Sequence, residues 1–526
     1  MALLLFYAIG SFSIIIGSFL IFRLFIRYKL TISTLPLSLS LIPSVYMPIA
    51  QYLKYASLRF YVDFSHWTAL LNSIITTGKP FNFNHELIFP GTKNYLSVHF
   101  VPFIYLIALP FKLWPYSETI IVLNFILMIS SIIPLYKLAL LCGKNKRFAV
   151  FMMVLLVWYP TFQYTVLYEF EMLRFAIPII LWMFYFLEKR SKWLYYLFSF
   201  LAVLVREEVG LTVMMFGIYL FFFEKKRKEG LITSIIGLGA FIAITGIIMP
   251  KLSASLRYEH IAAKFFPVAG NSGVFKLFPL IFDPIKLGNI ILFFLPLLFA
   301  PLFSPALLVS SLANFGVGIL SRSNTHVSFM MYYLSPSVPV FFFALIKGWP
   351  KFTKFLKTHF GRGIYDSDSP AMAAMLCALL VSNIFFGPSP VSLQFWFRDI
   401  RPALFRTQNF HYSAYITNKH HKLVESLVKM IPDGAIVSAE HFLHPRLFKK
   451  RGAMVFPQLV SMDGKFKADY VFIDKNNPVK TGGGIPESWD GLRANPQFYY
   501  DSIEKAPEIW KLLKAEDGYY LFKRAK

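Results

Sequence analysis

Apolar residues run through the chain in stretches long enough to bury a helix in hydrocarbon, and short basic clusters interrupt them. A membrane span needs about 20 consecutive apolar residues. Segments 3–22, 35–52, 117–141, 148–166, 174–188, 192–206, 208–223, 231–249, 288–303, 305–320, 329–346 and 370–387 meet or approach that length. They predict about twelve spans, several of them short. The first run, Ala2 to Phe22, lacks a basic leader and a small-residue cleavage pattern, so it is expected to be a retained span. The pattern changes after Gly387-Pro388-Ser389-Pro390. An amphipathic helix at His421–Met430 is followed by a turn at Ile431-Pro432-Asp433-Gly434. Strand-like runs follow at Ala435–Ala439 and Ala468–Asp474. The expected architecture is an all-α polytopic transmembrane bundle over residues 1–390 and an α/β domain over 391–526.

Lysine and arginine orient the spans, because cytoplasmic loops carry the excess of positive charge. Arg23-Arg27-Lys29, Lys144-Lys146-Arg147, Lys189-Arg190-Lys192, Lys225-Lys226-Arg227-Lys228 and the Lys347–Arg362 loop are expected on the cytoplasmic side. Segments 148–188 and 192–223 are then hairpins whose tips point outward. The first tip is Tyr168-Glu169-Phe170-Glu171-Met172-Leu173-Arg174, and the second is Arg206-Glu207-Glu208. The same parity places loop 53–116 outside, with Asp63, His66, His85, Glu86 and His99. Its apolar end, Val98 to Trp114, is broken by Pro102 and Pro110 and is expected to lie in the outer interface or to re-enter. Loops 251–287 (Arg257, His260) and 321–328 (Arg322, His326) and the C-terminal domain fall on the same extracytoplasmic side.

Composition agrees with this picture. Of the 526 residues 56% are hydrophobic and only 15% charged, against about 25% charged in soluble globules. The formal charge of +25 does not point to nucleic acid, because the basic residues flank apolar spans. An integral, multi-pass protein of the cell membrane follows, with membrane lipids as its surroundings. Two cysteines, Cys142 and Cys377, offer neither a disulfide framework nor a cysteine metal site.

Three consecutive charges in an apolar hairpin are costly, at roughly 2.5 kcal/mol or more per residue near a helix centre. Arg206, Glu207 and Glu208 must therefore pair with each other, with neighbours or with a ligand. An arginine beside carboxylates suits a site that handles phosphate and a cation together. Asp63, just past a span, is a candidate general base or cation ligand; the competing reading is a helix N-cap. Glu169 and Glu171 do not share a helical face, and Arg174 can pair with Glu171 at i,i+3. Arg257 and Arg322 are candidates for a phosphate clamp. No two of the outer histidines have the spacing of a helical zinc pair. Glu440-His441 and His444 read as a solvated loop sooner than as a ligand site. Gly482-Gly483-Gly484 neither follows a strand nor precedes a helix, so it is not a phosphate loop.

The order of several motifs resembles an uncharacterised family of polytopic membrane proteins, a domain-of-unknown-function family grouped with the glycosyltransferase C (GT-C) superfamily. The motifs are the Phe60–Trp67 stretch with Asp63, Pro90-Gly91-Thr92-Lys93-Asn94-Tyr95-Leu96-Ser97-Val98-His99-Phe100-Val101-Pro102, the Tyr168–Arg174 tip, and Arg206-Glu207-Glu208-Val209-Gly210-Leu211. Ile431-Pro432-Asp433-Gly434 and Ala468–Asp474 complete the series. The resemblance runs from about residue 35 to the end. It implies a GT-C-like fold and transfer of a sugar from a polyprenyl-phosphate carrier to an extracytoplasmic protein or glycan acceptor. It places the superfamily's first-loop aspartate at Asp63. The chain departs from the superfamily pattern in two ways: Phe64 follows Asp63 where many members have a second acid, and an extra N-terminal span precedes the region.

The expected function is therefore a membrane glycosyltransferase. Asp63, Glu207 and Glu208 are its candidate catalytic residues. His66, His99, Glu169, Glu171, Arg174, Arg206, Arg257, His260, Arg322 and His326 are candidates for substrate binding. Asp63 and Glu171 are candidate ligands of a divalent cation, Mg or Mn. The alternatives are a transporter or flippase of a lipid-linked or small polar substrate, and a non-catalytic membrane assembly protein. Transporters commonly carry internal repeats, and none is visible in the chain.

Overall fold

The structure is a computed structural model. It describes residues 2–88, 90–92, 94–252, 278–321, 323–360, 367–397, 410–476 and 496–525. Arg257, His260, Arg322 and the Gly482–Gly484 run lie outside the described residues.

Helices dominate. In chain order we label α1 (Ala2–Arg27), α2 (Tyr46–Ala56), α3 (Val62–Thr77), α4 (Phe83–Ile88), α5 (Ile104–Leu113), α6 (Ser117–Ile129), α7 (Ile132–Leu141), α8 (Lys146–Trp158), α9 (Pro160–Leu167), α10 (Ala176–Glu188), α11 (Lys192–Val203), α12 (Val209–Phe222), α13 (Arg227–Ala243), α14 (Pro284–Phe294), α15 (Leu312–Leu320), α16 (Ser337–Phe360), α17 (Ser369–Phe386), α18 (Lys419–Lys429) and α19 (Pro496–Glu504).

Among the described residues, five helical segments are long and apolar enough to cross a membrane: Leu5–Arg27, Ser117–Leu141, Arg227–Leu252, Pro279–Leu297 and Ser369–Phe386. A sixth is the pair α8 and α9, bent by 52°. Pro160 opens α9, and the missing amide and ring of a proline cannot continue the preceding helix. The other expected spans are shorter or shifted. Segment 35–52, with Pro36, Pro43 and Pro48, folds as Thr34–Leu39, Ile42–Val45 and α2. The helix expected over 329–346 starts only at Ser337, and a short 3₁₀ turn, Tyr332–Leu334, precedes it. Helix α5, at 10 residues, is too short to cross. It buries Ile104, Ile107, Ala108 and Phe111, and leaves Leu106, Leu109 and Leu113 exposed on its other face.

Helices α12 and α13 approach backbone to backbone. A Cβ on Gly210 would lie 2.7 Å from the Gly237 carbonyl oxygen, and one on Gly217 2.5 Å from the Ser234 amide nitrogen. Glycines seven residues apart on both helices thus permit a contact that any side chain would break.

The C-terminal unit is a five-stranded sheet. Its strands are β1 (Ile436–Ala439), β2 (Gly452–Val455), β3 (Tyr470–Asp474), β4 (Trp510–Glu516) and β5 (Tyr519–Arg524), in the order β2-β1-β3-β5-β4. β1 runs parallel to β2 and β3, and β5 antiparallel to β3 and β4. Strand alternation sends Tyr470 and Phe472 to one face, with Val424, Leu427 and Val428 of α18. Val471 and Ile473 go to the other face, with Tyr500 and Ile503 of α19. The two expected strands and the amphipathic helix are present; β2 and the β4–β5 hairpin were not anticipated. Leu58 completes the first core and Leu87 the second, so the first loop packs into both. The expected solvated loop after β1 is instead buried. Glu440 accepts from the Asp474 amide (2.9 Å) and from the Tyr500 hydroxyl. His444 Nε2 lies 3.1 Å from the carbonyl oxygens of both Ala439 and Met454. Tyr500 of α19, the end of β3 and Tyr61 of the first loop cover the cluster.

His420, in the first turn of α18, bridges Asp474 (2.9 Å) and Asp517 (3.0 Å) and stacks on Tyr519 at 4.1 Å. Burial alone would depress its pKa, but the two carboxylates outweigh burial and raise it above the usual 6.5. Stability from this bridge is complete below pH 6.5 and is lost as pH rises through the raised value. Hydrogen exchange at the β3 and β5 amides should therefore accelerate from pH 6 toward pH 8 beyond the intrinsic rate change, and His420→Gln should remove that excess. Separately, Gly217→Val should lower the thermal unfolding temperature in detergent by the equivalent of about 1–3 kcal/mol. Gly239→Val should not, because nothing lies within 4 Å of a Cβ there.

Candidate functional site

The two hairpin tips meet against the first loop. The first amides of a helix have no partner inside it, and α3 has no cap from its own N-cap side chain. The cap comes from the α9–α10 connection. Glu169, buried there, accepts the Phe64 amide at 3.1 Å. Burial raises the Glu169 carboxyl, and the neighbouring Asp63 carboxylate adds to the effect; backbone amides and Lys54 pull it back. Because Glu169 does the capping, Asp63 does not. Asp63, the second residue of α3, is exposed and accepts a hydrogen bond from the Tyr168 hydroxyl at 2.7 Å.

The second tip, between α11 and α12, is recessed: Arg206 is 6% exposed and Glu207 3%. Glu207 reaches the first loop with both oxygens, one 3.2 Å from His99 Nδ1 and the other accepting the Phe100 amide at 2.9 Å. Arg206 stands among three carboxylates, 3.4 Å from Glu208, 3.8 Å from Glu171 and 4.0 Å from Glu207. These pairs are loose, and neither Nε nor Nη1 of Arg206 makes a hydrogen bond. Glu171 caps its own connection through the Met172 amide, 3.1 Å. Burial lifts its carboxyl to about 7, against the pull of Arg206 and with the help of Asp63.

Arg174 does not pair with Glu171 within 4.0 Å. Its Nη1 donates to Asn124 Oδ1 at 2.8 Å, and Asn124 in turn donates to Gln51 Oε1 at 2.9 Å and to the Val166 carbonyl at 3.1 Å. Gln51 also donates to the Tyr168 carbonyl, 2.9 Å away. Arg174 is fully buried, and its Nε and Nη2 have no hydrogen-bond partner. It supports the tip from beneath.

Four rings form a ladder beside the carboxylates. Tyr168 packs on Tyr332 (4.8 Å), Tyr332 on Tyr333 (4.3 Å) and Tyr333 on His326 (4.4 Å). The Tyr333 hydroxyl lies in electrostatic reach of Arg206, Glu171 and Asp63 together. The structure thus gathers Asp63, Glu169, Glu171, Arg206, Glu207, Glu208, His99 and, through the ladder, His326. His66 is set apart, with its ring edge-on to His85 at 6.1 Å and in electrostatic reach of His444 in the C-terminal unit. Lys54, Gln51, Asn124, Tyr332 and Tyr333 were not singled out from the sequence. Tyr332 and Tyr333 fell inside an expected span, where tyrosines read as apolar filling. Among the described residues, no group of three or more His, Cys, Asp or Glu side chains is placed to hold a metal ion.

A family described as "Predicted membrane protein (DUF2079)" matches residues 69–497. The match covers both hairpin tips, and Asp63 stands just before it. No curated protein matches the chain.

Removing Arg206 would leave Glu171, Glu207 and Glu208 to repel one another in a buried space. Arg206→Met should therefore destabilise the folded protein by about 3–5 kcal/mol. The double variant R206M/E208Q should recover part of that loss, as read from thermal unfolding in detergent.

Proposed function

We propose that this chain, which belongs to the DUF2079 family of predicted membrane proteins, is a membrane glycosyltransferase of GT-C type. It would transfer a sugar from a polyprenyl-phosphate carrier to an extracytoplasmic acceptor. The observation that carries the reading is an exposed carboxylate, Asp63, and a buried guanidinium, Arg206, that share the Glu171 carboxyl as an electrostatic neighbour. Asp63 and Arg206 both lie in reach of the Tyr333 hydroxyl. The shorter apolar helices at Lys192–Val203, Val209–Phe222 and Pro305–Leu320 would raise the span number toward the expected twelve. The C-terminal unit would lie outside the cytoplasm.

In this mechanism Asp63 takes the proton of the acceptor hydroxyl. The acceptor oxygen attacks the anomeric carbon from the face opposite the carrier. The bond from that carbon to the phosphate oxygen breaks, polyprenyl phosphate leaves, and the configuration inverts. The Tyr168 hydroxyl fixes Asp63 in place without consuming its second oxygen. The Arg206 guanidinium meets the phosphate, where charge develops as the carrier departs. Glu171, Glu207 and Glu208 stand against the Nε and Nη1 edge of that guanidinium, so Glu207 and Glu208 act on phosphate through the arginine. A divalent cation, Mg or Mn, would have Asp63 and Glu171 as ligands. The described residues offer it no third.

Membranes containing Asp63→Asn should transfer a radiolabelled lipid-linked sugar about 10²–10⁴-fold more slowly than wild type. Tyr168→Phe should show a smaller loss, and both proteins should accumulate normally. Unchanged transfer with Asp63→Asn would sink the assignment.

A further inference from the structure

A charged cavity is lined by residues outside these tips. It has a volume of about 370 Å³ and is lined in part by Lys144, Trp349, Lys354, Lys357, Thr358 and Asp368. Among the described lining residues three ammonium groups face one carboxylate, and Lys144 and Lys354 alone outnumber it. The carboxylate is itself oriented, because Asp368 accepts the indole N–H of the buried Trp349 at 2.9 Å. That bond turns one Asp368 oxygen to the indole. The position is equally informative. Lys144 lies between the candidate span Ser117–Leu141 and α8, and Asp368 immediately precedes the candidate span Ser369–Phe386. Lys354, Lys357 and Thr358 belong to the last turns of α16, beyond the Lys347–Glu188 ion pair (2.9 Å) that joins it to the end of α10. The cavity thus opens where apolar helices end, at the depth of lipid headgroups.

We infer that this cavity binds a phosphate-bearing anion, and that the headgroup of an anionic phospholipid is its source. Ammonium groups grip phosphate as point charges, and Thr358 adds a hydroxyl donor. The volume exceeds that of a bare phosphate and leaves room for a glycerol headgroup. This site is independent of the proposed transfer chemistry, since none of its residues belongs to the tips.

Full-length protein in mixed micelles of phosphatidylglycerol and phosphatidylcholine, followed by native mass spectrometry, tests this. Wild type should retain phosphatidylglycerol over phosphatidylcholine. K144Q/K354Q/K357Q should lose that retention by about fivefold per lysine, and K351Q, an exposed lysine of the same helix outside the cavity, should not. A parallel arm offers inorganic pyrophosphate in phosphatidylcholine alone. Lysine-dependent binding there without lipid retention would keep the phosphate site and make its source soluble. If neither ligand depends on the three lysines, or if K351Q is equally damaging, the inference is overturned. K354Q alone, an exposed position, serves as a second variant should the triple one unfold.

Discussion

The site rests on one buried carboxylate that caps a helix it does not belong to. A helix start leaves amides without partners, and a nearby negative charge is favourable there. Glu169 supplies both from the α9–α10 connection, through the Phe64 amide. The bond fixes α3 against the first hairpin tip and frees Asp63 from capping. The Tyr168 hydroxyl, one residue before Glu169, then reaches Asp63. A single local sequence, Tyr168-Glu169, therefore both sets the helix and presents its aspartate.

The second tip solves the same problem of buried charge differently. Arg206, Glu207 and Glu208 leave no charge isolated, yet only Glu207 is fully engaged, by His99 and Phe100. The arginine is surrounded without being saturated. Buried donors without partners are uncommon and carry a cost of about 1–3 kcal/mol each. Arg174 bears the same kind of unpaired nitrogens, but one of its arms is committed to Asn124. Two buried guanidinium groups of similar exposure thus differ in role: Arg174 braces the tip, and Arg206 keeps its donors open among acids.

Much of this was legible in the chain, and the gaps have physical causes. The charge triplet stood out because an apolar run makes charges visible, and basic flanks turned that run into a hairpin. The two parallel strands were visible because strands buried on both faces are continuous apolar runs. The β4–β5 hairpin was missed although Asp517-Gly518, both at positive φ, is a common two-residue hairpin turn; β4 is almost wholly exposed and carries no apolar alternation. The partner of Glu169 was hidden for a different reason. A backbone amide more than a hundred residues away leaves no mark in composition or spacing. The proline breaks in 35–52 were readable, but hydropathy averaged over them suggested one span where three short helices form.

The C-terminal sheet then belongs to the architecture of the site. Leu58, four residues before α3, sits in one of its cores, and Leu87 of α4 sits in the other. Arg446 stacks 3.7 Å over the Tyr55 ring and donates to the Tyr55 carbonyl at 2.9 Å. Tyr61, the N-cap of α3, lies 4.8 Å from the His441 ring. The helix carrying Asp63 is thus held on one side by the first hairpin tip and on the other by the sheet. In the proposed transfer such fixation matters, because a displacement of about 1 Å can cost about a hundredfold in rate. Among the described residues the sheet contributes no ion pair to Arg206, so its contribution is to fix the start of α3.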